Sequence, residues 1–442
     1  MFDNTPRNPS RIKHYYGWKW MKYPITKKHE IGSGLTEKGI YKVLYASSVD
    51  ISLPNGPGVN EREFLVAASE KWGKNLTAII PRLSHKIDSH LNVHIEWCPH
   101  VSNTSPISFL RHQVAIYYKL RRQMAREKYD LIIIRLGVLP LGLWFALKSS
   151  CTPYVVKTSG GFPKASLQIQ KGAKRLIMQL VNPLEYKLQR DLLQGAKAVD
   201  ACTVGLARGI IHNYRVRNEN VRVIDNATNV NRFFPQDSQY YRKKLGISKF
   251  QPLIGYVGGR PWERGANQLI KVLPELMSFF PDIGVLIVGG DKKMSGMRKL
   301  TDEFQVADRV VFTGTVPYED VNQYINCLDV GVAFDRKDTR EKGNANQKIR
   351  QYLACGVPVV TSGSGNDFLV SHGLGSIIDD FDNLDVLKDA LVKWASMNDI
   401  DRHRYKKLAR DYAVKHLSVN KALEERILFW KSRLSEGENE PD

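Results

Sequence analysis

Apolar runs of strand length recur along this chain with helical stretches between them, and they come in two separate series. The first reads YKVLYASS, NLTAII, VHIEW, DLIIIR, PYVVKTS, AVDACTV and NVRVID; the second reads LIGYVGG, IGVLIVGG, RVVFTG, VGVAFD, VPVVTS and LGSIID. Runs without polar alternation suit strands buried on both faces, and strands alternating with helices imply a doubly wound parallel sheet. A length of 442 residues exceeds one ordinary core. The expected fold class is therefore α/β, with two Rossmann-like doubly wound domains facing each other across a cleft. The first covers 40–232 and the second 250–412, joined by a polar, proline-punctuated linker over 233–249. Residues 1–39 mix basic and aromatic side chains without periodicity and read as an arm. Residues 413–442 carry a last helix and tail; Leu423, Ile427 and Trp430 fall at helical spacing, fit to pack back on the first domain.

The most apolar segment, LIIIRLGVLPLGLWFAL, contains Arg135 and Pro140 and is too short to span a bilayer, so a strand followed by a helix is expected there. No signal peptide is read over Met1 to Ile40. The five cysteines are scattered and show no CxxC spacing, which favours reduced thiols in a cytoplasmic protein. Acidic and histidine residues at metal-ligand spacing are absent, so neither a metal nor a cofactor is expected.

Ligands of open α/β sheets bind beyond the carboxyl ends of the strands, and three features fall there. In NGPGVNE, after the first strand, Gly56 and Gly58 lack a Cβ and let backbone amides approach a phosphate. In GGRPWERG, Arg260 and Arg264 stand where a strand hands over to a helix, and paired guanidiniums at a helix start suit a diphosphate. In NANQKIRQYLACGVPVVTSGSG, Asn344 or Asn346 can cap a helix that ends at Gly356. Lys348 and Gln351 then share one face near the positive end of its dipole, placed for an anion or a polyhydroxyl ligand.

Taken together, LPNGPGVNEREF, AKAVDACTVGLARGIIHNYRVRNENVRVIDNATNVNRFFP, IGYVGGRPWERGANQLIKVLPEL, DRVVFTGTVPYEDVNQYINCLDVGVAF and KIRQYLACGVPVVTS resemble the two-domain GT-B glycosyltransferases, in particular their GT4-like group. The resemblance covers nearly everything from Tyr41 onward. It implies a retaining transfer of a sugar from a nucleoside-diphosphate-sugar to an acceptor hydroxyl, in cell-surface polysaccharide or glycolipid synthesis. It also implies a donor diphosphate held by the Gly56–Gly58 loop and by Arg260 and Arg264, whose spacing is tighter than the usual Arg-to-Lys interval. The family's Glu-x7-Glu pair falls here on Gly343 and Gln351, leaving Glu341, Asn344 or Asn346 to recognise the sugar and Gln351 to meet the ribose with one acceptor oxygen. Ser159 or Gly160 stands where many relatives have a histidine. Loss of both glutamates also fits a non-catalytic binding protein, or a nucleotide-sugar isomerase on the same fold.

The formal charge of +20 asks for an acidic partner. No nucleic-acid-reading motif is present, so nucleic acid is not expected. Basic residues stand close to apolar ones in three places: Lys13, Lys19 and Lys22 with Trp18 and Trp20; Arg111, Lys119, Arg121 and Arg122; and Lys164, Lys171, Lys174 and Arg175. Such surfaces attract anionic lipid. Two readings stay open: a chain with a glycan or lipid-linked acceptor that sits peripherally at the inner face of a membrane, or solvated basic helix faces that only raise solubility.

Overall fold

The computed structural model of the protein describes residues 40–53, 55–84, 91–100, 105–148, 150, 152–158, 173–290, 293–334, 346–363 and 365–435, with the side chains of 173–178 set aside. The arm, Ser159, Gly160, Glu341, Gly343, Asn344, Lys164 and Lys171 lie outside what is described, as do the side chains of Lys174 and Arg175.

The first series of apolar runs forms β1 (Val43–Ser47), β2 (Leu76–Pro81), β3 (His94–Cys98), β4 (Leu131–Arg135), β5 (Tyr154–Thr158), β6 (Ala198–Ala201) and β7 (Val221–Val223). They make one parallel sheet in the order β3-β2-β1-β4-β5-β6-β7. Helices α1 (Gly56–Trp72), α2 (Pro106–Arg126), α3 (Leu141–Leu147), α4 (Ala173–Gln194) and α5 (Val204–Tyr214) return the chain. Short polar side chains start these helices by accepting first-turn amides: Asn55 for α1, Ser105 for α2 and Thr203 for α5. Each such cap is worth about 1 kcal/mol. Leu131 to Arg135 is a strand and Leu141 to Leu147 a helix, so the most apolar segment divides as its Arg135 and Pro140 require. No described helix is long and apolar enough to cross a membrane.

After α6 (Gln239–Lys244), the second series forms β8 (Leu253–Val257), β9 (Gly284–Val288), β10 (Val310–Gly314), β11 (Val330–Ala333), β12 (Val359–Ser362) and β13 (Gly375–Ile378), again parallel, in the order β10-β9-β8-β11-β12-β13. The helices here are α7 (Asn267–Met277), α8 (Met294–Glu303), α9 (Val321–Asn326), α10 (Gln347–Ala354), α11 (Phe368–Ser371), α12 (Leu384–Ala395), α13 (Asp399–His416) and α14 (Val419–Ser435). The stretch 233–249 is more than a connector: Phe233 and Ile247 are buried in the core of the second sheet, because apolar side chains inside a polar segment find the nearest dry surface. Helix α14 packs on the first sheet through Leu423, Phe429 and the fully buried Trp430. Its Arg426 Nε lies 2.9 Å from Asp200 in β6.

Strand order reverses between β1 and β4 in the first sheet and between β8 and β11 in the second. These two switch points open the crevices in which such sheets hold ligands.

Candidate functional site

At the switch point of the second sheet the chain leaves β8 as Gly258–Gly259. Gly258 has φ 147°, and a Cβ there would lie 2.1 Å from Cε of Lys348. Gly289, after β9, would place its own Cβ 2.0 Å from the Gly258 carbonyl oxygen. Only glycines allow these two loops and the lysine to meet. Lys348 sits in the first turn of α10, its Nζ 5.4 Å from the centroid of the Tyr256 ring. Asn346 caps α10, its Oδ1 accepting from the Lys348 amide at 3.3 Å. The left-handed Gly356, φ 74°, follows the end of the helix. A cation on a helix N-terminus, at the carboxyl edge of the sheet and beside bare backbone, is the kind of arrangement that suits an anion.

The two arginines stand where the sequence puts them, in the handover from β8 to α7, but ahead of the α-helix's own first turn. Arg260 precedes a single 3-10 turn, Trp262–Arg264, that Arg264 ends, and α7 begins only at Asn267, because Gly265 turns left-handed (φ 74°) after the turn. Arg260 is itself left-handed at φ 57°. Its side chain is 69% exposed, 3.5 Å from Glu263; Arg264 is half-buried.

Gly56 and Gly58 also differ from expectation. They form the first turn of α1 and not a loop, since Asn55 caps the helix and takes the Gly58 amide at 2.9 Å. Gly58 is required by crowding, for a Cβ there would come 2.5 Å from the Leu53 carbonyl oxygen. Gly56 stands with open space about it.

Lys348 and Gln351 share a face of α10, but Gln351 is buried and its Nε2 points to the Tyr318 hydroxyl at 3.5 Å. Tyr318 donates to Glu63 on α1, across the two sheets. Burial pushes the Glu63 carboxyl above its ordinary value, against the Tyr318 hydrogen bond and the nearby Arg232 and Arg62. The Arg62 guanidinium lies over the Tyr318 ring at 4.6 Å. The other side of α10 is bound as firmly. Arg350, fully buried, pairs with Asp225 and donates to Asn366 Oδ1 at 2.9 Å, while Gln347 donates to the Ala227 carbonyl. Helix α10 thus touches elements of both halves.

Two family descriptions match the chain: Glycosyltransferase Family 4 over residues 30–232 and Glycosyl transferases group 1 over 251–396. The chain belongs to the GT4-like group of GT-B glycosyltransferases. It is 29% identical over 165 residues to the GDP-mannose-dependent monoacylated alpha-(1-6)-phosphatidylinositol monomannoside mannosyltransferase of Corynebacterium glutamicum, a stretch covering 36% of this chain and 42% of that protein. The match thus spans about two fifths of that relative's length. In fold it is similar to sucrose-phosphate synthase of Thermosynechococcus elongatus (TM-score 0.66, 17% identity, 88% of this chain and 98% of that one). It is likewise similar to the Anabaena protein HepE in complex with UDP and glucose (TM-score 0.64, 17% identity, 88% and 99%).

Within this GT4-like chain, the residues that sequence reasoning missed are buried charges. Glu61 on α1 is fully buried, accepts from Lys157 Nζ at 2.6 Å and from the Tyr45 hydroxyl, and forms an ion pair with Arg135, whose Nε lies 2.9 Å away. Burial pushes its carboxyl up, but Lys157 and Arg135 outweigh this and hold it below the ordinary value. Burial pushes the Lys157 ammonium down to about 8, against the pull of Glu61. Lys157 also donates to Asn60 at 2.8 Å, and Asn60 to Asn226 in the segment that carries Asp225. A signal was present: LIIIR, YVVKT and AVDA each place one charge in an otherwise apolar buried strand, where a charge stands only if paired.

Proposed function

We propose that this GT4-like chain moves a sugar from a nucleoside diphosphate to a hydroxyl of a glycan or lipid-linked acceptor, with retention at the anomeric carbon as the family resemblance implies. The observation that carries the reading is Lys348 folded onto Gly258 at the switch point of the second sheet. As the sugar leaves, negative charge gathers on the diphosphate. Lys348, Arg264, Arg260 and the amide of Gly56 are the groups assigned to stabilise it, more strongly in the transition state than before it. No protein nucleophile is assigned; the leaving phosphate assists the incoming hydroxyl in the route the resemblance implies. The GDP-mannose named for the Corynebacterium relative and the UDP bound to the Anabaena protein support a nucleotide donor. Gln351, engaged with Tyr318 and through it Glu63, supports a rebuilt donor pocket over a decayed one.

A peripheral membrane position is part of the proposal. Helix α2 exposes Ile107, Leu110, Val114 and Tyr118 along one stripe, with Arg111, Arg121 and Arg122 exposed beside it. Lys119 does not belong to that surface, since it pairs with Glu96 at 2.7 Å. An apolar stripe edged with cations suits an anionic bilayer. Sedimentation with anionic vesicles at low salt should carry the protein down and high salt should release it; indifference to anionic vesicles removes this part of the reading.

The transfer itself is tested by incubating the full chain with a panel of nucleoside-diphosphate sugars and alkyl glycosides. Mass spectrometry should find a glycoside one sugar heavier, with free nucleoside diphosphate. Conversion of a nucleotide sugar into an isomer, or nucleotide binding without product, contradicts it.

A further inference from the structure

The switch point of the first sheet, between β1 and β4, carries a polar pair that the donor chemistry does not use. Ser48, half-buried just past β1, has its Oγ 2.9 Å from Nε2 of His112, a fully buried residue of α2. Nδ1 of the same ring lies 3.1 Å from the Pro99 carbonyl oxygen. A carbonyl only accepts, so Nδ1 bears the proton and Nε2 of the neutral ring bears a lone pair. Burial favours that neutral ring, holding His112 below its ordinary 6.5 against the Pro99 hydrogen bond. The Ser48 hydroxyl must then donate to Nε2. What it offers outward is its remaining lone pairs, which recognise a donor and nothing else.

The backbone past β4 that packs beside Ser48 is equally fixed. A Cβ on Gly137, past β4, would lie 3.7 Å from Cβ of Ser48. Gln189 of α4 donates to the Gly137 carbonyl at 3.3 Å, and Glu185 of α4 accepts from the Leu139 amide at 3.4 Å. Leu139 is left-handed at φ 44°. For a branched residue this conformation persists only where surrounding structure imposes it, and such positions gather at ligand sites. Helix α2 is itself locked in place: Gly142 of α3 donates to Gln113 Oε1 at 2.9 Å, and a Cβ on Gly142 would lie 2.2 Å from the Gln113 carbonyl oxygen.

We propose that Ser48, oriented by His112, accepts a hydrogen bond from a ring hydroxyl of the acceptor molecule, which binds as a polyhydroxyl ring in the crevice between β1 and β4. Ser48 is the binding group and His112 the positioning residue. The assignment rests on the transferase reading for its ligand class, and it adds the place and the polarity of recognition: an acceptor-only contact that selects a hydroxyl over an ether or a carboxylate.

The test titrates the full chain with octyl α-D-mannopyranoside and with myo-inositol by saturation-transfer NMR, alongside calorimetric titration with UDP and GDP. Wild type should bind at least one polyhydroxyl probe saturably. Ser48→Ala, a small change at a half-buried position, should weaken that binding about three- to tenfold, the worth of one hydrogen bond, with nucleotide affinity unchanged. His112→Phe should match Ser48→Ala. His112→Gln, whose amide can accept from Ser48 and donate to Pro99, should restore binding toward wild type, a rescue that a purely structural role would not give. Unchanged probe affinity in Ser48→Ala, equal loss of probe and nucleotide binding, or no saturable binding of either probe to wild type each overturns the assignment. Failure of UDP and GDP to bind wild type counts against the donor reading alone, since the polyhydroxyl titration is read independently.

Discussion

The two sheets of this GT4-like chain have the same kind of switch point and build it from opposite materials. Past β8 the second sheet offers backbone: Gly258 and Gly289 bring two loops against each other, with Lys348 laid across the first. Past β1 and β4 the first sheet offers side chains, Ser48 on His112, with Glu61, Lys157 and Arg135 paired beneath α1. A diphosphate is a compact charge, best met by close backbone and a cation. A sugar ring is met by single directional hydrogen bonds, which need rigid side chains, and rigidity under a sheet edge comes from buried polar networks. One edge is therefore intolerant of added volume, the other of lost partners.

The largest expected effect concerns lost partners. Glu61→Ala leaves Lys157 and Arg135 buried without their carboxylate, which should destabilise the protein by about 3–5 kcal/mol in urea unfolding. A loss under about 1 kcal/mol would mean the network is not what holds the first edge rigid. Added volume comes next. Gly258→Ala should displace Lys348 and, like Lys348→Ala or Arg264→Ala, lower turnover on the order of a hundredfold, as when one oxyanion donor is removed. Arg260→Ala should cost less, because its side chain is 69% exposed and its charge is screened. Equal, small effects of all four variants would erase the contrast between the edges.

A smaller effect tests where the halves meet. Gln351→Glu sets a second carboxylate on the Tyr318 hydroxyl that already donates to Glu63, and should destabilise by about 1 kcal/mol while changing nucleotide affinity little. A marked gain in nucleotide affinity would instead mark a decayed ribose contact.

The smallest effect is a pH dependence at the first edge. His112 is held below its ordinary 6.5 by burial, so the unfolded chain binds its proton first as pH falls. Its contribution to stability is complete above about 6.5 and is lost as pH drops through the lower folded value. His112→Gln should show a shallower loss of melting temperature over that acid window. Parallel curves for the two proteins would place a charged ring in the folded state.

The sheets were legible because strands buried on both faces announce themselves as apolar runs, and the cap at Asn346 and the stop at Gly356 because helix ends have few chemical solutions. The place of Arg260 and Arg264 between β8 and α7 was legible from the strand-to-helix handover, whereas the separate 3-10 turn that Gly265 closes was not, because a left-handed glycine leaves no periodic signal. Gly56 and Gly58 were taken for a loop because glycine weakens a helix on average, whereas here Asn55 and the crowding at Gly58 start one. Ser48–His112 was not legible at all. The two residues lie far apart in the chain, in different elements, and their pairing exists only once α2 is packed on the sheet.

Nucleotide titration of three proteins, wild type, Lys348→Ala and Ser48→Ala, tests the division of labour most directly. Calorimetry with UDP and GDP should show at least one nucleotide binding wild type and Ser48→Ala alike, and binding Lys348→Ala at least about tenfold more weakly, as loss of a charge-assisted contact requires. Wild-type nucleotide affinity in folded Lys348→Ala would contradict the claim that the glycine-lined edge of the second sheet holds the donor.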